Sequence, residues 1–158
     1  MTADAKKQSP THVYESQDGD RNFVFHLAEN DIFIRTGRQL IEASELNISI
    51  DLWREELDLM FGYVKKWCEE HATNIRACLC EPRRARLVLH FLPKTGGFDF
   101  DLADGLANLD MHLSRNLKNV GLVEAGQIPW DEMDRFVNHN VSFVIYGEIP
   151  GIQGSVGT

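Results

Sequence analysis

Residues 48–125, ISIDLWREELDLMFGYVKKWCEEHATNIRACLCEPRRARLVLHFLPKTGGFDFDLADGLANLDMHLSRNLKNVGLVEA, decide the fold of this chain. Their first third carries Trp53, Leu57, Met60, Val64 and Trp67 at 4-3-4-3 spacing, the period of one helical stripe. Phe61 and Cys68 widen the stripe, while Glu55, Glu56, Lys65, Lys66, Glu69 and Glu70 fall mostly elsewhere. A helix is predicted over about 50–71, with Ser49 as N-cap and Asp51 favoured by the helix dipole. Gly62 costs such a helix ~1 kcal/mol relative to alanine, which points to close packing there. Two strand-like runs follow, 75–80 and 85–92, around the turn Glu81-Pro82-Arg83-Arg84, where proline presets φ at the second turn position. Asp101 is then expected to cap a second helix, with Asp104 in its first turn. Leu102, Leu106, Leu109, Leu113 and Leu117 share one face of it, and 121–125 is a short strand.

Upstream, Phe23, Phe25 and Leu27 alternate with Val24 and His26 as in a strand, and residues 32–34 continue as a second one after a turn. Residues 39–43 read as a third strand, with a short helix over 37–46 as the alternative. Downstream, 129–137 suggests a short helix and 141–146 a strongly β-prone last strand. Assembled, 39–43, the first helix, the hairpin, the second helix and 121–125 give β-α-β-β-α-β. The expected class is α+β: a ferredoxin-like (split β-α-β) core with an N-terminal β-hairpin and an extra C-terminal helix and strand. Residues 1–20 read as a flexible arm, 21–148 as a single α+β domain and 149–158 as a flexible tail.

The 158 residues suffice for one domain, and 43% hydrophobic with 25% charged residues is an ordinary globular mix. No apolar run approaches the ~20 residues of a membrane span. The N-terminus lacks the apolar core of a secretory signal. Three cysteines at no disulfide-framework spacing favour reduced thiols and a cytoplasmic setting. A formal charge of −8 argues against general nucleic-acid binding, which depends on neutralising phosphates. That charge is unevenly spread. Residues 74–94 hold five basic groups against one acid, whereas 95–140 hold eight acids against three bases.

Four constellations bear on chemistry. Cys78 and Cys80 with His90 are metal-ligand types, but three groups need a fourth partner or water, and hairpin register decides whether they share a face. With a two-residue loop at Pro82-Arg83, His90 projects opposite the thiols; with a longer loop it joins them. Asp99 and Asp101, spaced as in Asp-x-Asp, are carboxylates that in a strand would point to one side and could hold a divalent cation. The competing reading is that Asp101 caps the helix and Asp99 is exposed. Arg76, Arg83, Arg84 and Arg86 form a basic hairpin suited to carboxylates or phosphates, without the interleaved aromatics of a single-strand binder. Asp110, His112 and Ser114 cannot act as a triad, because neighbouring helical positions diverge.

No cofactor motif stands out. The expected role is a non-catalytic interaction or regulatory domain that self-associates and could take an acidic protein partner. A small metal-assisted or acid–base hydrolase using Asp99, Asp101 and a histidine is the alternative, and a small-ligand-binding domain a third. The expected homo-oligomer is a two-fold dimer in which the basic and acidic segments pair reciprocally, with Phe98, Phe100 or the 141–146 edge at its apolar centre.

Overall fold

The computed structural model describes Phe33, Thr36 and residues 50–84 and 86–152. Within them the order is α1 (Ile50–Glu70), β1 (Ile75–Arg83), β2 (Arg86–Pro93), α2 (Phe100–Asn116), β3 (Leu122–Gln127), a 3-10 turn (Trp130–Glu132) running into α3 (Met133–Phe136), and β4 (Phe143–Tyr146). The class is α+β, and these elements comprise three α-helices and a mixed four-stranded sheet in the order β3-β2-β1-β4. Phe33 and Thr36 have helical backbone, so Phe33 is not part of the strand expected over 32–34. The rest of the expected N-terminal hairpin, the 39–43 strand, the 1–20 arm and Ser49 lie outside the described residues.

The predicted α1 stripe faces the sheet. Trp53, Leu57, Met60, Phe61, Val64 and Cys68 are buried with Leu102, Leu106, Leu109 and Leu113 of α2 in the main core. Trp67 is only half-buried; its ring edge meets Phe91 at 5.4 Å between centroids. The helices run antiparallel. Glu56, early in α1, accepts hydrogen bonds from the Lys118 and Asn119 N–H groups just after α2. Tyr63 stacks on His112 at 4.4 Å, and the Trp67 ring lies where a Cβ on Gly105 would meet it at 3.3 Å. Gly105 thus permits a close approach of the two helices, and Gly62 is itself buried.

The hairpin is longer than predicted. β1 and β2 pair from Ile75↔Pro93 to Arg83↔Arg86, so the turn falls two residues later and Pro82 lies inside β1. β4 pairs with β1 only from Cys78 to Cys80, leaving Pro82 beyond that ladder, where a missing N–H costs no strand bond. β2 and β3 hydrogen-bond directly in parallel, Arg86↔Leu122 through Phe91↔Gln127, with α2 as their crossover. This corrects the ferredoxin-like expectation, since a split β-α-β unit needs a strand between those two. The extra C-terminal helix and strand are present as α3 and β4, and among the described strands β4 lies at the far edge beside β1.

A second, smaller core covers the sheet face away from α1 and α2. Ala77, Leu79 and Leu92 pack there against Met133, Val137, Val144 and Ile149, with Trp130 and Ile152 alongside. Ile149 and Ile152, in the stretch expected to be a soft tail, therefore form part of the packing. Among the described residues no helix is long and apolar enough to cross a membrane.

Candidate functional site

The hairpin register separates the proposed ligands. Cys80 pairs with Leu89, Cys78 with Phe91 and Leu79 with His90, which puts both thiols in the main core and His90 on the opposite sheet face. The strand period of two makes that separation obligatory once the register is set. Burial pushes the Cys78 and Cys80 thiols well above their ordinary pKa. Cys68, Cys78 and Cys80 are all free and buried. Among the described residues, no three His, Cys, Asp or Glu side chains converge as metal ligands.

Asp99 and Asp101 also part company. Asp99, not Asp101, is the N-cap of α2, its Oδ1 accepting from the Leu102 N–H at 3.2 Å. It is buried rather than exposed, because Gln127 grips its backbone twice: the Asp99 N–H donates to Oε1 at 2.8 Å and the Gln127 Nε2 donates to the Asp99 carbonyl at 2.9 Å. Asp101 follows in the first turn, exposed. Helical backbone after the cap turns its side chain away from that of Asp99, so the strand-like pairing of carboxylates is not made.

His90 meets a different carboxylate. Its Nε2 lies 3.0 Å from Glu81 Oε2, and both residues are 5% exposed. The Arg83 Nε donates to Glu81 Oε1 at 2.9 Å, and the Asn138 N–H donates to Oε2 at 3.3 Å. Arg83 also donates to the Phe136 carbonyl at 2.6 Å, and the Ser142 hydroxyl to the Asn138 carbonyl at 2.7 Å. Burial alone would push the Glu81 carboxyl up; hydrogen bonds and charge from His90 and Arg83 outweigh it and hold the group below its usual range. Arg83 and the Asn138 N–H thus fasten the end of α3 and the residues after it onto the sheet. A Glu-His couple resembles an acid–base pair, but this one is sealed under protein. The signal was present in the sequence as nine-residue spacing across a hairpin, readable only with the right register.

The four arginines divide likewise. Arg83 is bound into that network, and Arg86 pairs with Glu124 at 3.1 Å. Arg84 is exposed at the turn, without an ion pair among the described residues. Arg76 projects from the other end of β1, where its guanidinium carbon lies 3.4 Å from the centre of the Trp130 ring. Cation–π attraction holds the guanidinium on the indole at that distance, and Arg76 is exposed to solvent. No acid among the described residues pairs with it.

Arg76 and Trp130 line a groove of about 550 Å³ together with Val144, Ile149, Pro150 and Ile152. Gly147 makes that wall possible. It adopts φ of +76°, and a Cβ there would come within 2.5 Å of the Arg76 carbonyl oxygen. Glu148, also on the groove, makes no ion pair among the described residues. A pinned cation beside apolar walls can hold a carboxylate whose carrier buries an apolar flank. Sequence singled out Arg76 but missed Trp130, which is 54 positions away and reaches it only through tertiary packing. Comparison with protein-family models, curated proteins and solved structures finds nothing that matches this chain.

Proposed function

We propose that this chain is a non-catalytic interaction domain that recruits an acidic protein segment through the Arg76/Trp130 groove. The observation that carries the reading is Arg76 itself: a cation held in place on an indole face, at the edge of a groove of ligand-binding size, with no acid partner among the described residues. Its neighbours along the hairpin contrast with it, because Arg83 and Arg86 already hold Glu81 and Glu124. The groups that would run acid–base chemistry are also engaged. Glu81 and His90 satisfy each other under protein, and Asp99 caps α2.

The partner's carboxylate would take the N–H edge of Arg76, and its adjacent apolar residue would lie over Ile149 and Ile152. Binding would be salt-sensitive because the groove is open to solvent. A fluorescein-labelled peptide with two glutamates flanking a leucine, titrated with wild type, Arg76→Glu and Arg84→Glu proteins, tests the reading. Wild type and Arg84→Glu should bind with equal strength, and Arg76→Glu should lose binding at least about tenfold, the effect of ~1.4 kcal/mol. Equal binding by all three, or none by wild type, would reject it.

A further inference from the structure

The second conspicuous surface lies on the β3 edge of the sheet. Among the described strands β3 lies at the edge, and α2 packs along it, with Asp110 Oδ1 accepting the Ala125 N–H at 2.9 Å. That bond occupies a group an incoming strand would need, so the edge resists sheet extension. Side chains remain uncovered around it. Phe98 and Phe100 contact each other edge to face at 4.9 Å, yet are 55% and 81% exposed. Leu122 is 55% exposed at the opposite end of β3. Between them, Ala103 and Ala107 of α2 leave a groove of about 450 Å³ against Ala125 and Gly126.

Charge is distributed along the same edge by end. The register Arg86↔Leu122 places the hairpin turn, with exposed Arg84, at the start of β3. The Asp99/Gln127 fork places Phe98, Phe100 and exposed Asp101 at its finish. Six residues of strand put these ends roughly 17 Å apart. A two-fold axis through the middle of β3 would lay a second copy antiparallel, bringing each basic end onto an acidic, aromatic end. Leu122 of one copy would then face the small-residue groove of the other. A closed, self-complementary contact needs such an arrangement, with unlike ends on one edge. The β4 edge expected as an alternative apolar centre has Phe143, Val144 and Ile145 buried instead.

We propose that the chain forms a two-fold dimer across the β3/α2 edge, the Arg84 turn of each copy meeting Phe98, Phe100 and Asp101 of the other. The Phe98/Phe100 pair supplies the anchor, since exposed ion pairs alone contribute little. Sedimentation equilibrium of the full chain from low to high micromolar concentration tests this, with circular dichroism to confirm folding of each variant. Wild type should be dimeric and Phe100→Asp monomeric over that range. Arg84→Glu and Asp101→Arg should each loosen the dimer at least about fivefold, and combining them should restore it, because the swap rebuilds both pairs. A monomeric wild type, a dimer indifferent to Phe100→Asp, or a double swap no tighter than its single parents would overturn the proposal. Phe100 and Arg84 are exposed, so loss of the dimer in those variants with retained helix signal reports the contact itself.

Discussion

Glu81 and Asp58 are both buried acids, and their surroundings drive them in opposite directions. Glu81 is held by His90, Arg83 and the Asn138 N–H, and its folded pKa lies below the ordinary value. Its stabilising contribution is therefore complete above the unfolded carboxylate value of about 4.3 and is lost as pH falls through the lower folded value. Glu81→Ala should cost about 3–5 kcal/mol at neutral pH, because it strands His90 and Arg83 beside a buried gap. Denaturant unfolding at pH 7 and at pH 3 checks this, and the penalty should shrink at the lower pH. Asp58 on α1 is 2% exposed, and its Oδ1 has no hydrogen-bond partner among the described residues. Burial raises it from 3.8 to about 7, with Arg54 opposing. The native state then holds a proton that the unfolded chain has released, so stability falls as pH rises from about 4 through 7. The whole decline is on the order of a few kcal/mol. Asp58→Asn should abolish that slope and leave the protein more stable at pH 8 than wild type, with little difference near pH 4. A wild-type stability that stays flat between pH 4 and 8 would contradict the assignment.

At the scale of elements, both long helices were legible because their apolar residues repeat at three and four over many turns. Leu57 is fully buried in α1, and Leu57→Ala should cost ~2–5 kcal/mol through lost burial and a cavity. Boundaries were harder to read. Phe98 and Phe100 flank Asp99 in an alternating pattern that imitates a strand, and either aspartate satisfies the preference for an acidic cap. The helix starts one residue after Asp99, because Gln127 pins that residue's backbone in place. Asp99→Ala should lose about 0.5–2 kcal/mol, whereas Asp101→Ala should change stability by no more than a few tenths of a kcal/mol. Thermal unfolding of the two single variants separates them; reversed magnitudes would return the cap to Asp101. The turn was misplaced for a related reason. Proline in Glu81-Pro82-Arg83-Arg84 carries a turn preference, but the wish of Glu81 to meet His90 depends on a cross-strand neighbour that no local pattern reveals.

Over the whole molecule, class could be read from the alternation of helix and strand patterns, but sheet order could not. A split and an unsplit β-α-β unit share the same local periodicity. They differ only in whether another strand enters between β2 and β3, and here the two pair directly. The site was half legible in the same sense. Four arginines stood out by charge, yet three of their fates are tertiary: Arg83 joins Glu81, Arg86 joins Glu124 and Arg76 stacks on Trp130. Arg76 and Arg84 both stay without an acid partner among the described residues, and placement shows that Arg76 is the one on the groove. Chemical-shift mapping of the ¹⁵N-labelled full chain with the glutamate-leucine peptide is the most direct measurement. Resonances of Arg76, Gly147, Glu148 and the Trp130 indole should move together and saturate, while those of Leu122, Ala125 and Phe100 stay still. Movement confined to the β3 edge, or an unchanged spectrum at saturating peptide, would contradict the assignment of the Arg76/Trp130 groove.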